Sequence, residues 1–391
     1  MNPATIADLR LSARRRLPGF VFDFIDGAAG YETTLRANHE DLGRIRLRTR
    51  VLAGSGEPDL STTILGRRAK APVMIAPTGA AGMVRHQGEL HGVRAAAKMD
   101  VPFCLTTMSS VTLEQVAGAA PDADRWFQLY VTRDRELARR FVARARAANY
   151  RVLMPTVDLP IQGIRPRDVR SGYTMPPRFT WRTVRDVVQH LPWMREVLFT
   201  GGRWNPPNYA NFESEGRGIA RAVAVAQAVS AQLDPKLTFD DIARLKDAWG
   251  GLLVVKGVLD PADAEACVRA GADGIVVSNH GGRQLDGTLS AIRALAPIVD
   301  RVGQRAEVFM DGGIAGGADV LRALALGAKA VLLGRAWLWG LAAARQQGVE
   351  AMLGLVNREM RAALMMMGKD SVAIGRDAVL APAEFLSWPN A

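Results

Sequence analysis

The sequence Gly274-Ile275-Val276-Val277-Ser278-Asn279-His280-Gly281-Gly282-Arg283 joins a short apolar run to a polar, glycine-rich turn. The run 274–277 is rich in β-branched residues, which is typical of a buried strand. A histidine and an arginine therefore lie just beyond the carboxyl end of that strand. The two glycines let the backbone turn there and let a flat ligand come close. The stretch predicts one unit of a fold in which functional groups follow buried strands.

Similar units repeat on both sides of this stretch. The predicted strands cover 72–76, 101–105, 125–130, 150–157, 252–256, 274–277, 307–311 and 330–334. The predicted helices cover 88–99, 113–118, 134–148, about 218–233, 290–301 and 317–326, with a further helix opening at Asp260-Pro261 and a long helical tail after the last strand. Eight alternating strand–helix units predict a closed (β/α)₈ barrel, the TIM barrel, rather than an open doubly wound sheet.

The barrel pattern predicts one domain over residues 1–391, a length that can bury a large core. A helical N-terminal segment covers 1–66, with helices at 4–16 and 20–30 and irregular structure over 47–65. The barrel itself covers 67–368. A long insertion, 169–218, follows the fourth strand, and a C-terminal tail covers 369–391.

The composition is that of a soluble globular protein, with 48% apolar and 23% charged residues. Cys104 and Cys267 lie in apolar runs without the spacing of a disulfide framework or a metal site, which predicts a reduced, cytoplasmic protein without a bound metal. Neither a secretory signal nor an apolar run long enough to cross a bilayer is predicted. The net charge of +11 comes from scattered arginines without a basic–aromatic motif, so nucleic-acid binding is not predicted.

Polar residues follow every predicted strand at its carboxyl end, where TIM barrels carry their chemistry. The candidate site residues at these strand ends, with the glycines, Pro77 and Met108 among them, are in chain order Pro77, Thr78, Gly79, Thr106, Met108, Gln128, Tyr130, Thr156, Asp158, Lys256, Ser278, His280, Arg283, Asp311, Gly312, Gly313, Gly334 and Arg335. Any one of them could be a cap or turn residue. Their presence at all eight strand ends predicts a functional site there.

The last two strand ends predict a phosphate site. The glycines in Asp311-Gly312-Gly313 and at Gly334 free backbone N–H groups for a phosphate, and a following helix start adds favourable partial charge. Arg335 can neutralise the remaining charge. The alternative is that these residues only cap helices.

The chemistry predicted at the other strand ends is oxidation of a 2-hydroxy acid. His280 is the candidate base. Arg283 and Arg165 are the candidate clamps for a carboxylate, which arginine grips through two parallel hydrogen bonds. Asp158 is expected to pair with the imidazolium that forms, and Tyr130 to hydrogen-bond the substrate hydroxyl.

From Leu17-Pro18 to about Gly368 the sequence also resembles the FMN-dependent 2-hydroxy-acid-oxidising family, which includes glycolate oxidase, flavin L-lactate dehydrogenases and (S)-mandelate dehydrogenase. The resemblance implies FMN as cofactor, quinone or oxygen as electron acceptor, and a homotetramer. It also gives the residues matching His280, Arg283, Asp158, Arg165, Tyr130 and Lys256 the roles described above, with Lys256 beside the flavin ring. Pro77, Thr78, Gly79, Thr106, Gln128, Thr156 and Ser278 match positions that contact FMN.

The sequence departs from the family pattern at several positions. Phe24 stands where the family usually has a tyrosine that binds the substrate carboxylate, and Ile164 stands where relatives often have an arginine. Met108 replaces a bulky aromatic residue of glycolate-specific relatives, which favours an aromatic or longer substrate such as mandelate, although lactate and simple core packing of Met108 stay open. Gly79 favours a dehydrogenase over an oxidase. The alternatives are a specialised flavin oxidase acting on a biosynthetic intermediate, and a flavin-binding or membrane-surface protein without turnover.

The insertion combines aromatic residues with arginines, a combination that suits an anchor lying in the membrane interface. Its aromatics are Phe179, Trp181, Trp193, Phe199, Trp204, Tyr209 and Phe212. The family resemblance, which includes membrane-bound members, implies peripheral association with the inner face of a membrane through residues 176–215. A substrate lid and a subunit contact are the alternatives.

Overall fold

The computed structural model describes residues 2–79, 81–172, 181–200, 203–204, 210–212 and 232–388. Its strands are β1 (Arg46–Leu47), β2 (Thr62–Ile64), β3 (Arg67–Ala69), β4 (Val73–Ile75), β5 (Phe103–Thr106), β6 (Arg125–Leu129), β7 (Val152–Pro155), β8 (Phe199–Thr200), β9 (Arg203–Trp204), β10 (Leu252–Val258), β11 (Gly274–Val277), β12 (Glu307–Asp311), β13 (Ala330–Leu333) and β14 (Val379–Leu380). Its helices are α1 (Ile6–Arg16), α2 (Gly19–Asp26), α3 (Thr33–Arg44), α4 (Ala81–Val84), α5 (Gly88–Met99), α6 (Leu113–Ala119), α7 (Arg135–Ala147), α8 (Pro166–Ser171), α9 (Trp181–Gln189), α10 (Leu191–Val197), α11 (Phe239–Trp249), α12 (Pro261–Arg269), α13 (Ala291–Val302), α14 (Gly317–Ala325) and α15 (Arg335–Met366).

Eight of these strands, β4–β7 and β10–β13, close a parallel barrel in the order β10-β11-β12-β13-β4-β5-β6-β7. Successive side chains alternate between the barrel interior and the surrounding helices, and both sets are buried. The interior set includes Met74, Cys104, Trp126, Met154, Val254, Val276, Phe309 and Leu332. Strands that are buried on both faces appear in the sequence as continuous apolar runs, which made the barrel predictable. The closed parallel barrel confirms that prediction. Most of the helix predicted at 218–233 lies outside the described residues.

A short hairpin formed by β2 and β3 covers the amino end of the barrel. Ile64 and Ala69 join the interior cluster, and the turn between them uses positive φ angles at Leu65 and Gly66. Arg151, just before β7, donates to the Leu65 carbonyl oxygen at 2.8 Å. The expectation of irregular structure up to residue 65 was therefore wrong at its end, because a strand of three residues is too short to show a period.

Helix α3 lies over the carboxyl end of the barrel; it falls within the predicted helical segment 1–66, but no separate helix was predicted at its residues. Its first residues are held by Asp286, which accepts hydrogen bonds from Tyr31 N at 2.8 Å, Thr33 Oγ1 at 2.6 Å and Thr34 N at 2.9 Å. Partial burial opposes the charged form, but these hydrogen bonds lower the pKa of Asp286 to about 2. The N-cap residue Glu32 has a left-handed backbone and makes no capping bond of its own, so the sequence around it carries no helix start signal.

The described part of the insertion is largely helical rather than an extended loop. Helix α10 docks on the barrel through Trp193, whose Nε1 donates to the Met83 carbonyl at 2.7 Å and whose ring packs edge-on against Phe20. Trp193 and Phe212 are buried, so these two aromatics belong to the packing of the insertion and not to its outer surface. Met175-Pro176-Pro177, Phe179 and Tyr209 lie outside the described residues. No helix in the described ranges is long and apolar enough to span a membrane.

Candidate active site

A cavity of about 210 Å³ opens at the carboxyl end of the barrel. Most of the predicted site residues line it: Phe24, Pro77, Thr78, Gly79, Met108, Tyr130, Arg165, Lys256, His280, Arg283, Asp311, Gly312, Gly313, Gly334 and Arg335. Residues that were not predicted, among them His39, Leu159, Gln162 and Leu233, also line it. Five predicted site residues do not line the cavity, namely Thr106, Gln128, Thr156, Asp158 and Ser278.

His280, which lines this cavity, forms a pair with Asp158. His280 Nδ1 lies 3.0 Å from Asp158 Oδ1, and its backbone N–H donates to Ser278 Oγ at 3.0 Å. Because a carboxylate only accepts hydrogen bonds, Nδ1 carries the proton and Nε2 keeps its lone pair in the neutral ring. Burial favours protonation of Asp158, but His280 and Lys256 outweigh it and lower the pKa of the carboxyl.

Two glycine-dependent features hold this pair in place. His280 itself has a φ of 56°, a left-handed conformation that Gly281 and Gly282 continue. Gly257 has a φ of 106°, and a Cβ there would lie 2.6 Å from Cγ of Asp158. A side chain at residue 257 would therefore push the carboxylate away from the histidine.

Phe24 lies against both predicted carboxylate clamps. The guanidinium carbon of Arg283 is 5.1 Å from the Phe24 ring centre, and that of Arg165 is 6.0 Å away. Arg283 Nη1 also donates to the carbonyl oxygens of Phe24 and Gly27 at 2.8 Å each. The aromatic face thus attracts two cations that would otherwise repel each other.

Asp168 lies behind the clamps and was missed by the sequence interpretation. Its carboxylate is buried, with Oδ2 3.7 Å from Arg165 Nη1 and no hydrogen-bond partner for Oδ1 among the described residues. Burial raises the pKa of Asp168, while Arg283 and Arg165 oppose that shift. The available signal was its position three residues after Arg165 on a helix opened by proline, a spacing that brings the two side chains together.

Lys256 is buried and fully paired. Its Nζ lies 2.9 Å from Asp311 Oδ2 and 3.0 Å from Ser278 Oγ. Burial opposes its charge, but Asp311 and Asp158 outweigh burial and raise the pKa of Lys256 above its usual range. Burial and the Asp158 charge raise the pKa of Tyr130 to about 12. The cavity therefore holds a permanent cation and a protonated phenol that can donate a hydrogen bond.

The wall formed by the first four barrel strands fits an uncharged, hydrogen-bonding ring. Thr78 Oγ1, Gln128 Nε2 and Thr156 Oγ1 are buried and have no hydrogen-bond partner among the described residues. Thr106 Oγ1 hydrogen-bonds Gln128 Oε1 at 2.7 Å, which leaves the amide nitrogen of Gln128 for another acceptor. These groups are available to a ligand, and the edge of an isoalloxazine ring offers matching acceptors and donors. Direct contact of Thr106 and Ser278 with the ring stays a prediction.

The opposite end of the cavity fits a phosphate. Gly312 and Gly313 have φ angles of 95° and 81°, and a Cβ at Gly313 would lie 2.4 Å from the Asn38 carbonyl oxygen. Helix α15 begins beside them, and its N-cap is Gly334, which has no side chain that could cap the helix. Its first N–H groups can therefore bind an anion.

The amino end of α14, the helix that follows β12, was expected to contribute to the phosphate site, but carboxylates already pair with N–H groups there. Glu359 accepts from Gly317 N at 2.7 Å, and Asp319 accepts from Ala315 N at 2.9 Å. These two carboxylates occupy the amino end of α14. Of α14 and α15, only α15 therefore offers a free amino end, with its favourable helix dipole, to the phosphate.

Comparisons with known proteins agree with this geometry. Residues 13–381 match the family described as FMN-dependent dehydrogenase. The L-lactate dehydrogenase of Caulobacter vibrioides is 45% identical over 381 residues, which cover 97% of this chain and 98% of that protein. The crystal structure of the monotopic membrane protein (S)-mandelate dehydrogenase is similar with a TM-score of 0.92 and 34% identity, covering 98% of this chain and 100% of that one. A mandelate oxidase structure is similar with a TM-score of 0.80 and 38% identity, covering 95% of this chain and 96% of that one. This chain belongs to the FMN-dependent dehydrogenase family, and its cofactor is FMN.

Proposed function

We propose that this protein oxidises an (S)-2-hydroxy acid to the corresponding 2-oxo acid. The observation that carries the proposal is the His280–Asp158 pair, whose His280 lines the same cavity as Arg283 and Arg165. Buried polar groups without partners among the described residues lie at the ends of the neighbouring barrel strands. A base, a carboxylate clamp and a cofactor cradle are the three parts that this oxidation requires.

The clamps fix the substrate by its carboxylate. Arg283 and Arg165 line the cavity and both contact the Phe24 ring, and a guanidinium binds a carboxylate through parallel hydrogen bonds. Tyr130, protonated at neutral pH, donates a hydrogen bond to the substrate hydroxyl. These contacts hold the α-carbon beside His280.

His280 then removes a proton through Nε2. The positive charge that develops on the ring is stabilised by the ionised carboxylate of Asp158, 3.0 Å from Nδ1. When bound, FMN supplies the acceptor for the two electrons that the substrate loses. The cation of Lys256 stabilises negative charge that develops on that side of the cavity.

The substrate carries an apolar side chain in this proposal. Met108, Leu159 and Leu233 give the cavity an apolar wall near Tyr130, and Met108 adapts to side chains of different shape. Similar proteins are named for lactate and for mandelate, and both acids meet this requirement.

Anaerobic bleaching of the flavin absorbance at about 450 nm tests the proposal. The purified holoenzyme is mixed with L-lactate, glycolate, 2-hydroxyoctanoate and (S)-mandelate, with (R)-mandelate as the control for handedness. Rapid bleaching by an (S)-acid with an apolar side chain is expected. Bound flavin that none of these acids reduces would contradict the proposal and would favour an unusual substrate from biosynthesis.

The proposed electron acceptor is a quinone. Gly79 faces Met108, and a Cβ at Gly79 would lie 3.3 Å from the Met108 Cβ; by family resemblance this glycine favours a dehydrogenase. Admitting oxygen to the reduced enzyme, with and without a soluble quinone, separates the two acceptors. Fast reoxidation by oxygen alone would identify an oxidase.

Phe24→Tyr is expected to lower KM about tenfold without changing kcat, because it adds a hydroxyl donor beside the carboxylate clamps, and hydrogen bonds to charged groups are worth about 1.5–3 kcal/mol. Steady-state kinetics with the best acid measure the effect. Phe24→Leu is the matched control, since it removes the ring and adds no donor, and its KM is expected to rise. An unchanged KM in the tyrosine variant would show that residue 24 does not face the carboxylate.

We also propose that the protein acts at a membrane surface, which it binds peripherally through the insertion. Trp181, Val184, Val188 and Leu191 are 67%, 51%, 53% and 43% exposed. Trp181, Val184 and Val188 recur every three or four residues and so form one apolar stripe on α9. Leu191 begins the next helix, α10. On α9, Asp186 accepts a hydrogen bond from Gly19 N at 2.6 Å, which docks the insertion on α2. An outward apolar stripe on a docked helix suits a membrane interface.

Replacing Val184 and Val188 with serine is expected to abolish co-sedimentation with vesicles that contain anionic phospholipid. The exposed apolar stripe loses its central side chains, while the docking contacts of Asp186 and Trp193 stay. Phe239→Ser is the matched control, because Phe239 is 43% exposed on α11 and should leave binding unchanged. Equal binding by the double variant would contradict membrane association through this stripe.

The homotetramer and the single-domain organisation stay predictions, which sedimentation velocity and limited proteolysis of the holoenzyme test.

A further inference from the structure

We propose that His39 binds the phosphate of FMN and takes up a proton when it does so. This inference rests on the FMN-dependent function proposed above. His39 lines the cavity together with Gly312, Gly313, Gly334 and Arg335. Nothing in the sequence pattern around strand ends pointed to it, because it lies on α3.

Helix α3 is fixed on the phosphate end of the cavity. Asn38, the residue before His39, exchanges two side-chain hydrogen bonds with Asn279, at 2.9 and 2.8 Å. Asn38 Oδ1 also accepts from Ala291 N at 3.1 Å, and its carbonyl oxygen lies against Gly313. The backbone at His39 is thus held beside the Gly312–Gly313 turn, and its imidazole hydrogen-bonds the Gly313 backbone.

The charge balance at this end calls for a second cation. A phosphate monoester carries close to two negative charges at neutral pH. The guanidinium of Arg335 is committed to protein carbonyls, donating to Asp26 O at 3.1 Å, Gly27 O at 3.0 Å and Gly281 O at 2.8 Å. The charge of Lys256 is balanced by Asp311. A protonated His39 supplies the positive charge that Arg335 leaves unmatched.

The surroundings disfavour the protonated form of His39 before an anion binds. His39 lines the cavity with its side chain exposed to solvent, and partial desolvation and the neighbouring Arg335 lower the pKa of His39. Arg10 acts in the same direction, while Asp319 and the hydrogen bond to Gly313 oppose them. A phosphate beside the ring favours the charged form and raises the pKa. FMN affinity is then greatest below the pKa of the flavin-bound state and falls as the pH rises through it.

The test compares FMN with riboflavin, which lacks the phosphate. The full-length chain and its His39→Gln variant are stripped of flavin and titrated with each ligand between pH 5.5 and 8.5, with binding read from flavin fluorescence. The His39→Gln variant is expected to bind FMN about tenfold more weakly at pH 6, with the difference closing at pH 8.5. Riboflavin affinity is expected to stay the same, and comparison at equal pH cancels the titration of the phosphate itself.

His91→Gln is the matched control, because His91 is a partly buried histidine on α5 whose pKa is also lowered by burial. Its FMN affinity should equal that of the unaltered chain at every pH. Equal FMN affinity in the His39→Gln variant at pH 6, or an equal loss for riboflavin, would overturn the inference. Failure of the unaltered chain to bind FMN would instead overturn the proposed function.

Discussion

Replacing His280 with glutamine is expected to slow flavin reduction by the best 2-hydroxy acid about 10³-fold, within the range for loss of a positioned base. The backbone N–H of residue 280 can still donate to Ser278 Oγ, and the glutamine amide can still donate to Asp158, but the amide cannot take a proton at neutral pH. Anaerobic stopped-flow absorbance at saturating substrate measures the rate.

Three comparisons separate a chemical effect from a structural one. The flavin spectrum and the KM of the His280→Gln variant should stay close to those of the unaltered enzyme. Asp158→Asn should also lose most activity, because an amide donor at this position turns the ring to the wrong tautomer. His190→Gln, in the insertion, should reduce flavin at the normal rate. Normal flavin reduction by the His280 variant would assign the base elsewhere.

Replacing Lys256 with methionine is expected to lower the free energy of unfolding by about 3–5 kcal/mol, the cost of removing one partner from a buried ion pair. The carboxylate of Asp311, 2.9 Å from Nζ, would lose its buried cation, and Asp158 would lose a positive charge that favours its ionised form. Urea unfolding of the flavin-free protein at pH 7, followed by tryptophan fluorescence, measures the change.

A double variant isolates the cause. Lys256→Met combined with Asp311→Asn should recover a large part of the loss, because the uncompensated charge goes with its partner. Lys98→Met is the matched control, since Lys98 is 64% exposed and pairs with Glu350 at the surface. It should cost less than about 1 kcal/mol. A cost for Lys256→Met no greater than this control would show that the pair contributes little.

The barrel could be predicted from sequence because its information is local. Each strand is a short run of apolar residues followed at once by polar ones, as in Gly274–Val277 and the turn to Arg283. Burial on both faces produces the run, and the shared carboxyl edge of parallel strands produces the cluster of polar residues. The pairing of His280 with Asp158 followed from the same rule, although they are 122 residues apart.

The N-terminal contribution to the site could not be predicted in the same way. Helix α3 begins on Asp286, which lies 252 residues after Thr34, so no capping residue marks its start in the local sequence. The placement of His39 depends on the Asn38–Asn279 pair. Neither partner's sequence neighbourhood indicates the other, since both pairings arise only after the barrel has formed.

The arrangement around Phe24 shows a different limit. The sequence shows that Phe24 lacks the hydroxyl of a tyrosine, which indicated weaker binding of the substrate carboxylate. The contact of its ring with Arg283 and Arg165 depends on side-chain directions that a sequence does not specify. Likewise the aromatics of the insertion looked alike in sequence, yet Trp193 is buried and Trp181 is exposed.

The Asn38–Asn279 pair also has a consequence for the order in which the chain matures. The N-terminal segment leaves the ribosome first, but Asn279 lies 241 residues after Asn38. Likewise Arg335, which donates to the Asp26 carbonyl, lies 309 residues after Asp26. Contacts of such sequence separation form late, after local elements have assembled. We therefore expect the nascent segment to stay undocked until synthesis is nearly complete, so that the loop carrying His280 acquires its native shape only as the whole chain is finished.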